Sequence, residues 1–126
     1  MRLEPQTAPS WRMSKTNGLR ALDLAQLIVK EVVETVGCFP RGDPMELGGQ
    51  LARAANSVSS NIAEGYGRAT PAERRNKLRI ARGELSEAQS HLKVGSLCKY
   101  VPKKRFYRLW NQMVTLDRML ARLMRR

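Results

Sequence analysis

Apolar residues recur at every third or fourth position through four separate stretches of this chain, and nowhere do they alternate with polar ones in the two-residue rhythm of a strand. Leu22, Ala25, Val29, Val32, Val33 and Val36 form the first stripe. Leu47, Leu51, Ala54, Val58 and Ile62 form the second. The third, Leu78, Ala81, Leu85, Ala88 and Leu92, approaches a strict heptad and so favours neighbours crossing at about 20°. Phe106, Leu109, Trp110, Met113, Leu116, Leu120, Leu123 and Met124 make the fourth. Four amphipathic segments, each about 20 residues and roughly 30 Å long, predict an all-α, up-down-up-down antiparallel four-helix bundle. The β-branched cluster near the end of the first stripe weakens helix propensity, but its period is nearer 3.6 than 2.

The punctuation between stripes agrees with that reading. Residues 1–16 carry Pro5, Pro9, Ser10, Ser14 and Thr16 with no period, which predicts a flexible N-terminal arm before a single domain at 17–126. Asn17 is expected to cap the first helix, which Gly37 and the Phe39-Pro40 turn close. Asp43-Pro44 reads as cap and first helical residue of the second helix, and Gly65 and Gly67 are expected to end it by supplying positive φ. Thr70-Pro71-Ala72-Glu73 is a capping box with proline at the first helical position. Cys98 to Pro102 makes the last turn.

Charge changes the picture from a generic bundle to one seeking an acidic partner. Among 126 residues, Lys and Arg outnumber Asp and Glu 23 to 11, for a formal net charge of +12. Nucleic acid is the first class of partner this suggests; an acidic protein is the other. The excess is uneven. On the wheel of the fourth helix, Lys104, Arg108, Arg118, Arg122 and Arg126 fall within about 80°, opposite the apolar stripe, with no acid among them. Within that helix the ridge has no balancing carboxylates, so a phosphate-tracking surface competes with a plain solvated face. The first helix is slightly acidic, with Asp23, Glu31 and Glu34. Asp117, on the apolar side of its helix, is expected to pair with an arginine.

Catalytic chemistry is hard to find. The single histidine, His91, cannot supply the two Glu-x-x-His pairs of a di-metal bundle, and Glu87 with His91 reads as a solvated pair. Two cysteines without CxxC spacing argue against zinc, and no nucleophile-elbow, P-loop or HExxH pattern occurs. The expectation is therefore a protein without enzymatic activity, metal or cofactor. No charged leader precedes an apolar core and no apolar run approaches membrane length, so a cytoplasmic protein with free thiols and no membrane contact is expected.

The second helix holds a further pattern. Gln50, Arg53, Ser57, Asn61 and Glu64 form a polar stripe roughly 110° from its apolar one. Together with Ala54, Val58, Ile62, Ala63, Gly65, Gly67 and Arg68, the preceding Phe39-Pro40, and the following Ile80-Ala81-Arg82-Gly83, this run resembles the four-helix-bundle family of 23S rRNA intervening-sequence proteins. The likeness extends over nearly the whole chain after the arm. It implies a bundle and, through relatives that include the accessory proteins of diversity-generating retroelements, a homo-oligomer with the pentamer as candidate, binding RNA or DNA. The chain departs from the family pattern at Ser59, Glu84, Arg74 and Lys77. The last two lie near the core stripe and must snorkel outward or meet an acid. For the polar stripe three readings stand: a subunit seam, an internal network tying the second helix to Arg82, or a ligand contact.

Overall fold

The computed structural model describes residues 17–125. It consists of α1 (Asn17–Val36), α2 (Leu47–Tyr66), α3 (Pro71–Leu97) and α4 (Lys103–Met124). The expected arm at 1–16 and Arg126 lie outside the described residues, and Asn17, expected as a cap, is the first residue of α1. Each helix packs on its two neighbours in a closed ring: α1 on α2, α2 on α3, α3 on α4, and α4 back on α1. The connections are short, so neighbours run antiparallel, as the four stripes require.

The stripes meet along the axis in one core, the first of them rotated from its expected position: Ala21, Ala25, Ile28 and Val32 are buried, Leu22, Val29 and Val36 only partly, and Val33 is 59% exposed. Ile28, Leu51, Ile62, Leu78, Leu85, Leu92, Leu109, Met113, Leu116 and Leu120 are excluded from solvent. Packing is densest between α2 and α3, where buried Ala54, Ala55, Ala81 and Ala88 keep side chains short and let the helix axes approach. Gly65 completes that approach: a Cβ there would stand 3.2 Å from the Cβ of Lys77.

Two helix boundaries differ from the sequence reading. The second helix starts at Leu47, because the Glu46 N–H first returns to the Asp43 carbonyl at 3.1 Å and closes a turn containing Pro44. Asp43 still caps, since its Oδ2 accepts from the Gly48 N–H at 2.9 Å. At the other end, neither Gly65 nor Gly67 adopts positive φ. Gly67 has φ −92°, and the helix tightens through Gly67 N–H to Glu64 and Arg68 N–H to Gly65 carbonyl bonds. Gly65 is needed for proximity rather than backbone conformation. The Thr70 capping box forms as expected, with Thr70 Oγ1 accepting from Glu73 N–H at 3.1 Å and Glu73 Oε2 from Thr70 N–H at 3.4 Å.

One aromatic ring plugs the end of the bundle where α1 and α3 terminate. Phe39 is tilted against Tyr100, with ring centroids 5.4 Å apart, and lies over the backbones of Gly48 and Gly95. The α3 terminus beside it is a Schellman motif: Tyr100 N–H reaches the Gly95 carbonyl at 2.9 Å and Lys99 N–H reaches Ser96 at 3.0 Å. Lys99 takes the left-handed position, φ 63°, that glycine usually fills. A Cβ at Gly95 would lie 2.9 Å from Phe39 Cζ and 3.3 Å from a Val101 methyl. Urea denaturation should therefore show Gly95→Ala destabilised by about 1–3 kcal/mol through overpacking. Lys99→Gly should be stabilised by about 0.5–1 kcal/mol, the relief of left-handed strain less glycine's extra chain entropy.

Candidate nucleic-acid interface

The ridge predicted on α4 divides in two once the helix is placed beside α1. In its N-terminal half, the Arg108 guanidinium lies 2.7 Å from Glu31 Oε1. Glu31 is 5% exposed, so its carboxylate depends on that cation for the solvation it has lost. Arg105 stands 3.7 Å from Glu34 and donates to Thr35 Oγ1 at 3.4 Å, while Thr35 donates to the Glu31 carbonyl at 2.7 Å. Lys30, 3.2 Å away, with Arg105 behind it, holds the Glu34 carboxyl below its ordinary range. Lys104 faces the same groove, of about 240 Å³, between the start of α4 and the second half of α1. For Arg105 and Arg108 the absence of balancing acids within α4 is thus made good from across the helix pair; Lys104 stays exposed, with no ion pair among the described residues. The sequence carried a signal for this, since Glu31 falls three residues after Ile28 on the buried side of α1.

The C-terminal half is different. Arg118, Arg122 and Arg125 are exposed and make no ion pair among the described residues. Arg122 shares a small groove of about 120 Å³ with Met119, Leu123 and Arg20 of α1, so another arginine joins the ridge instead of an acid. Arg20 carried no such signal in the sequence, because the predicted bundle sets α1 beside α4 without fixing which of its residues face the last turns of α4.

The second set of singled-out residues sorts into separate roles. Arg82 grips Asp117 of α4 in a two-pronged bond, Nε to Oδ1 at 2.8 Å and an Nη to Oδ2 at 3.2 Å. Hydrogen bonding to Asp117 raises the guanidinium's pKa further. The expected arginine for Asp117 is therefore Arg82, and the reading in which Arg82 ties to the α2 stripe is corrected: it lies on the α4 side of α3, facing away from α2. Within the stripe, Gln50 donates to the Met45 carbonyl at 2.7 Å, and Asn61 donates to the Ser57 carbonyl at 2.8 Å and hydroxyl at 3.2 Å. Glu64 meets Lys77 at 2.9 Å and Arg68 at 3.9 Å, and Lys77 holds its carboxyl below the usual range. Arg74 takes neither route expected of it: it is half-buried and its guanidinium lies 4.8 Å over the Tyr66 ring.

Arg53 makes no ion pair among the described residues and faces a polar groove of about 310 Å³ with Gln50, Ser57, Glu84 and Glu87. Burial, then hydrogen bonding and repulsion from Glu87, push the Glu84 carboxyl up. Gly83 is exposed in mid-helix, and a Cβ there would meet nothing within 4 Å. Nothing among the described residues requires glycine at that position. His91 lies 3.8 Å from Glu87, and no group of three or more metal-ligating side chains occurs among the described residues. No described helix is long and apolar enough to cross a membrane.

Fold and surface together define an antiparallel four-helix bundle with one strongly basic outer face. The chain belongs to the 23S rRNA-intervening sequence protein family, whose model matches residues 17–122. Among solved structures it is similar to a protein of unknown function of the S23 ribosomal protein family from Bacteroides thetaiotaomicron, at a TM-score of 0.79. That likeness covers 88% of this chain and 100% of the other at 18% identity, and it bears on the fold alone. No curated protein matches the chain.

The split of the ridge separates residues by stability. Arg108→Glu sets two carboxylates together where one is buried, and should cost about 1–3 kcal/mol in a urea melt. Arg118→Glu, solvated and unpaired, should stay within about 0.5 kcal/mol of the parent.

Proposed function

We propose that this protein is a non-enzymatic, homo-oligomeric scaffold of the cytoplasm that binds RNA or DNA through phosphates, using the C-terminal half of the α4 ridge. The observation that carries this reading is the set Arg118, Arg122 and Arg125, three exposed guanidinium groups on two turns of helix with no ion pair to a carboxylate among the described residues. Such a surface is costly to leave unneutralised in a chain of charge +12, and polyphosphate binding relieves it by releasing counterions. Lys104 and Arg108 contribute to the surrounding field rather than to the contact. A second reading, a ridge that docks an acidic protein, draws on Arg105 and Arg108, which already hold an acidic helix. That helix belongs to the same chain, and the reading leaves the unpaired arginines without a role.

Assembly is the other half of the proposal, with the pentamer as the candidate from the family resemblance. It is supported by the outer faces of α2 and α3, where Ile80 is 40% exposed, Gly49 and Gly83 leave open space, and Arg53 has no ion-pair partner among the described residues. A neighbouring subunit pressed against Gly83 would give that glycine a reason, since otherwise it weakens α3 by about 1 kcal/mol.

Gel-shift titration tests the binding half. If about five phosphates are neutralised, log affinity should fall against log salt with a slope of roughly −3.5 to −4.5. Arg118→Glu, Arg122→Glu and Arg125→Glu together should abolish the shift while the helical circular dichroism remains. Salt-insensitive binding, or a shift retained by the triple variant, would remove the ridge from consideration. Light scattering tests the other half: the parent should run as a multiple of the 14.3 kDa chain, and Gly83→Trp should reduce it toward one. A parent that scatters as a single chain would sink the assembly.

A further inference from the structure

The arginine surface at the end of α4 has a second row, supplied by α3. Two contacts set the register between these helices: Arg82 on Asp117, and the Lys93 ammonium 5.7 Å from the Phe106 ring centroid. They agree, because the step from Arg82 to Lys93 equals the step from Phe106 to Asp117. Extending that register toward the start of α3 sets Arg75 and Arg79 alongside the last turns of α4. Arg75, Arg82 and Lys93 share a direction within about 20° on the wheel, so Arg75 lies on the α4 flank, with Arg79 one step further outward.

Among the described residues, the carboxylates at this end of the bundle already have partners. Glu64 is with Lys77 and Arg68, Glu73 is in the capping box, Asp117 is with Arg82, and Asp23 has a partner too. Arg79 touches only the Asn76 side-chain oxygen, at 3.5 Å, and Arg75 has no ion pair among the described residues.

We propose that Arg75 and Arg79 of α3, with Arg118, Arg122 and Arg125 of α4 and Arg20 of α1, form a two-row cradle for the phosphates of a double-stranded nucleic acid. This rests on the reading that the ridge meets phosphates, and it names the form of the ligand. The rows stand one helix spacing apart, about 8–10 Å between axes, which falls between the groove widths of about 6 and 12 Å that separate the strands of a duplex. Along each row an i to i+4 step rises about 6 Å, close to two phosphate steps of about 3.4 Å on one strand.

Single strands are held differently, by stacking bases on aromatic rings. The described aromatics do not serve here. Tyr66 lies beneath Arg74, Trp110 and Tyr107 pack around Phe106 toward the start of α4, and Phe39 and Tyr100 close the opposite end. Duplex DNA and duplex RNA present the same phosphate chemistry, so both are used as probes.

The test is fluorescence anisotropy on the full-length protein with a DNA duplex of about 20 base pairs, the RNA duplex of the same sequence, and each single strand, near physiological salt. A poly-glutamate chain serves as competitor. At least one duplex should bind about tenfold or more tightly than its single strands, and whether DNA, RNA or both do so identifies the source. Arg75→Glu with Arg79→Glu should weaken duplex binding about tenfold and make the salt slope shallower by about 2, with the thermal melt unchanged. Single strands binding as tightly as duplex, or an Arg75/Arg79 variant binding duplex like the parent, would overturn the two-row cradle. If the Arg118/Arg122/Arg125 variant were still inactive in that case, the phosphate reading would stand alone. Failure of every nucleic acid to bind would remove both, and poly-glutamate competing as well as duplex at equal charge would make the surface a dock for acidic protein instead.

Discussion

Setting α1 between α2 and α4 carries Glu31 out of water, and a carboxylate so placed has to be met by a cation. Arg108 meets it, Arg105 reinforces it through Thr35 and Glu34, and the groove between the helices closes around these charges. The attraction is worth more here than at an open surface because one partner is desolvated. Its consequence reaches the far end of α4. Once Arg105 and Arg108 are engaged within the chain, the arginines of α4 left without an ion pair among the described residues are those of its C-terminal half, beside Arg20. The asymmetry of paired charge along α4 follows from which helix α1 touches.

A second constraint is closeness. Alanines on α2 and α3, Gly65 against Lys77, and Gly48 and Gly95 under Phe39 all trade side-chain volume for backbone approach. Where the backbones approach, ion pairs can bridge neighbouring helices: Lys77 to Glu64 across α2 and α3, Arg82 to Asp117 across α3 and α4. These pairs contribute little individually because both partners are half solvated. They do fix register, and register decides which arginines of α3 come to lie beside α4.

Much of this was legible from residue order. The four helices, the capping box at Thr70, the turn at Cys98 to Pro102, the acid that Lys77 meets, and the need of Asp117 for an arginine all follow from local period and side-chain chemistry. The misreadings are local too. Gly65 and Gly67 were legible as a helix end but not in their mechanism, since positive φ and close approach both favour glycine. Asp43 was legible as a cap, yet the turn it also closes moved the helix start to Leu47.

The candidate site was legible by half. Periodicity along α4 is enough to set Arg118 and Arg122 on the solvent side, because a side chain's direction around its own helix depends only on its position in that helix. Whether a given charge on that face is free or spent is a different kind of fact. Arg108 and Arg118 look alike on the wheel, but one faces a buried carboxylate on α1 and the other pairs with none among the described residues. Coulomb attraction falls with distance through space, not with separation along the chain, so that distinction, and the pairing of Arg82 with α4 rather than α2, came only with the packing of the helices around one another.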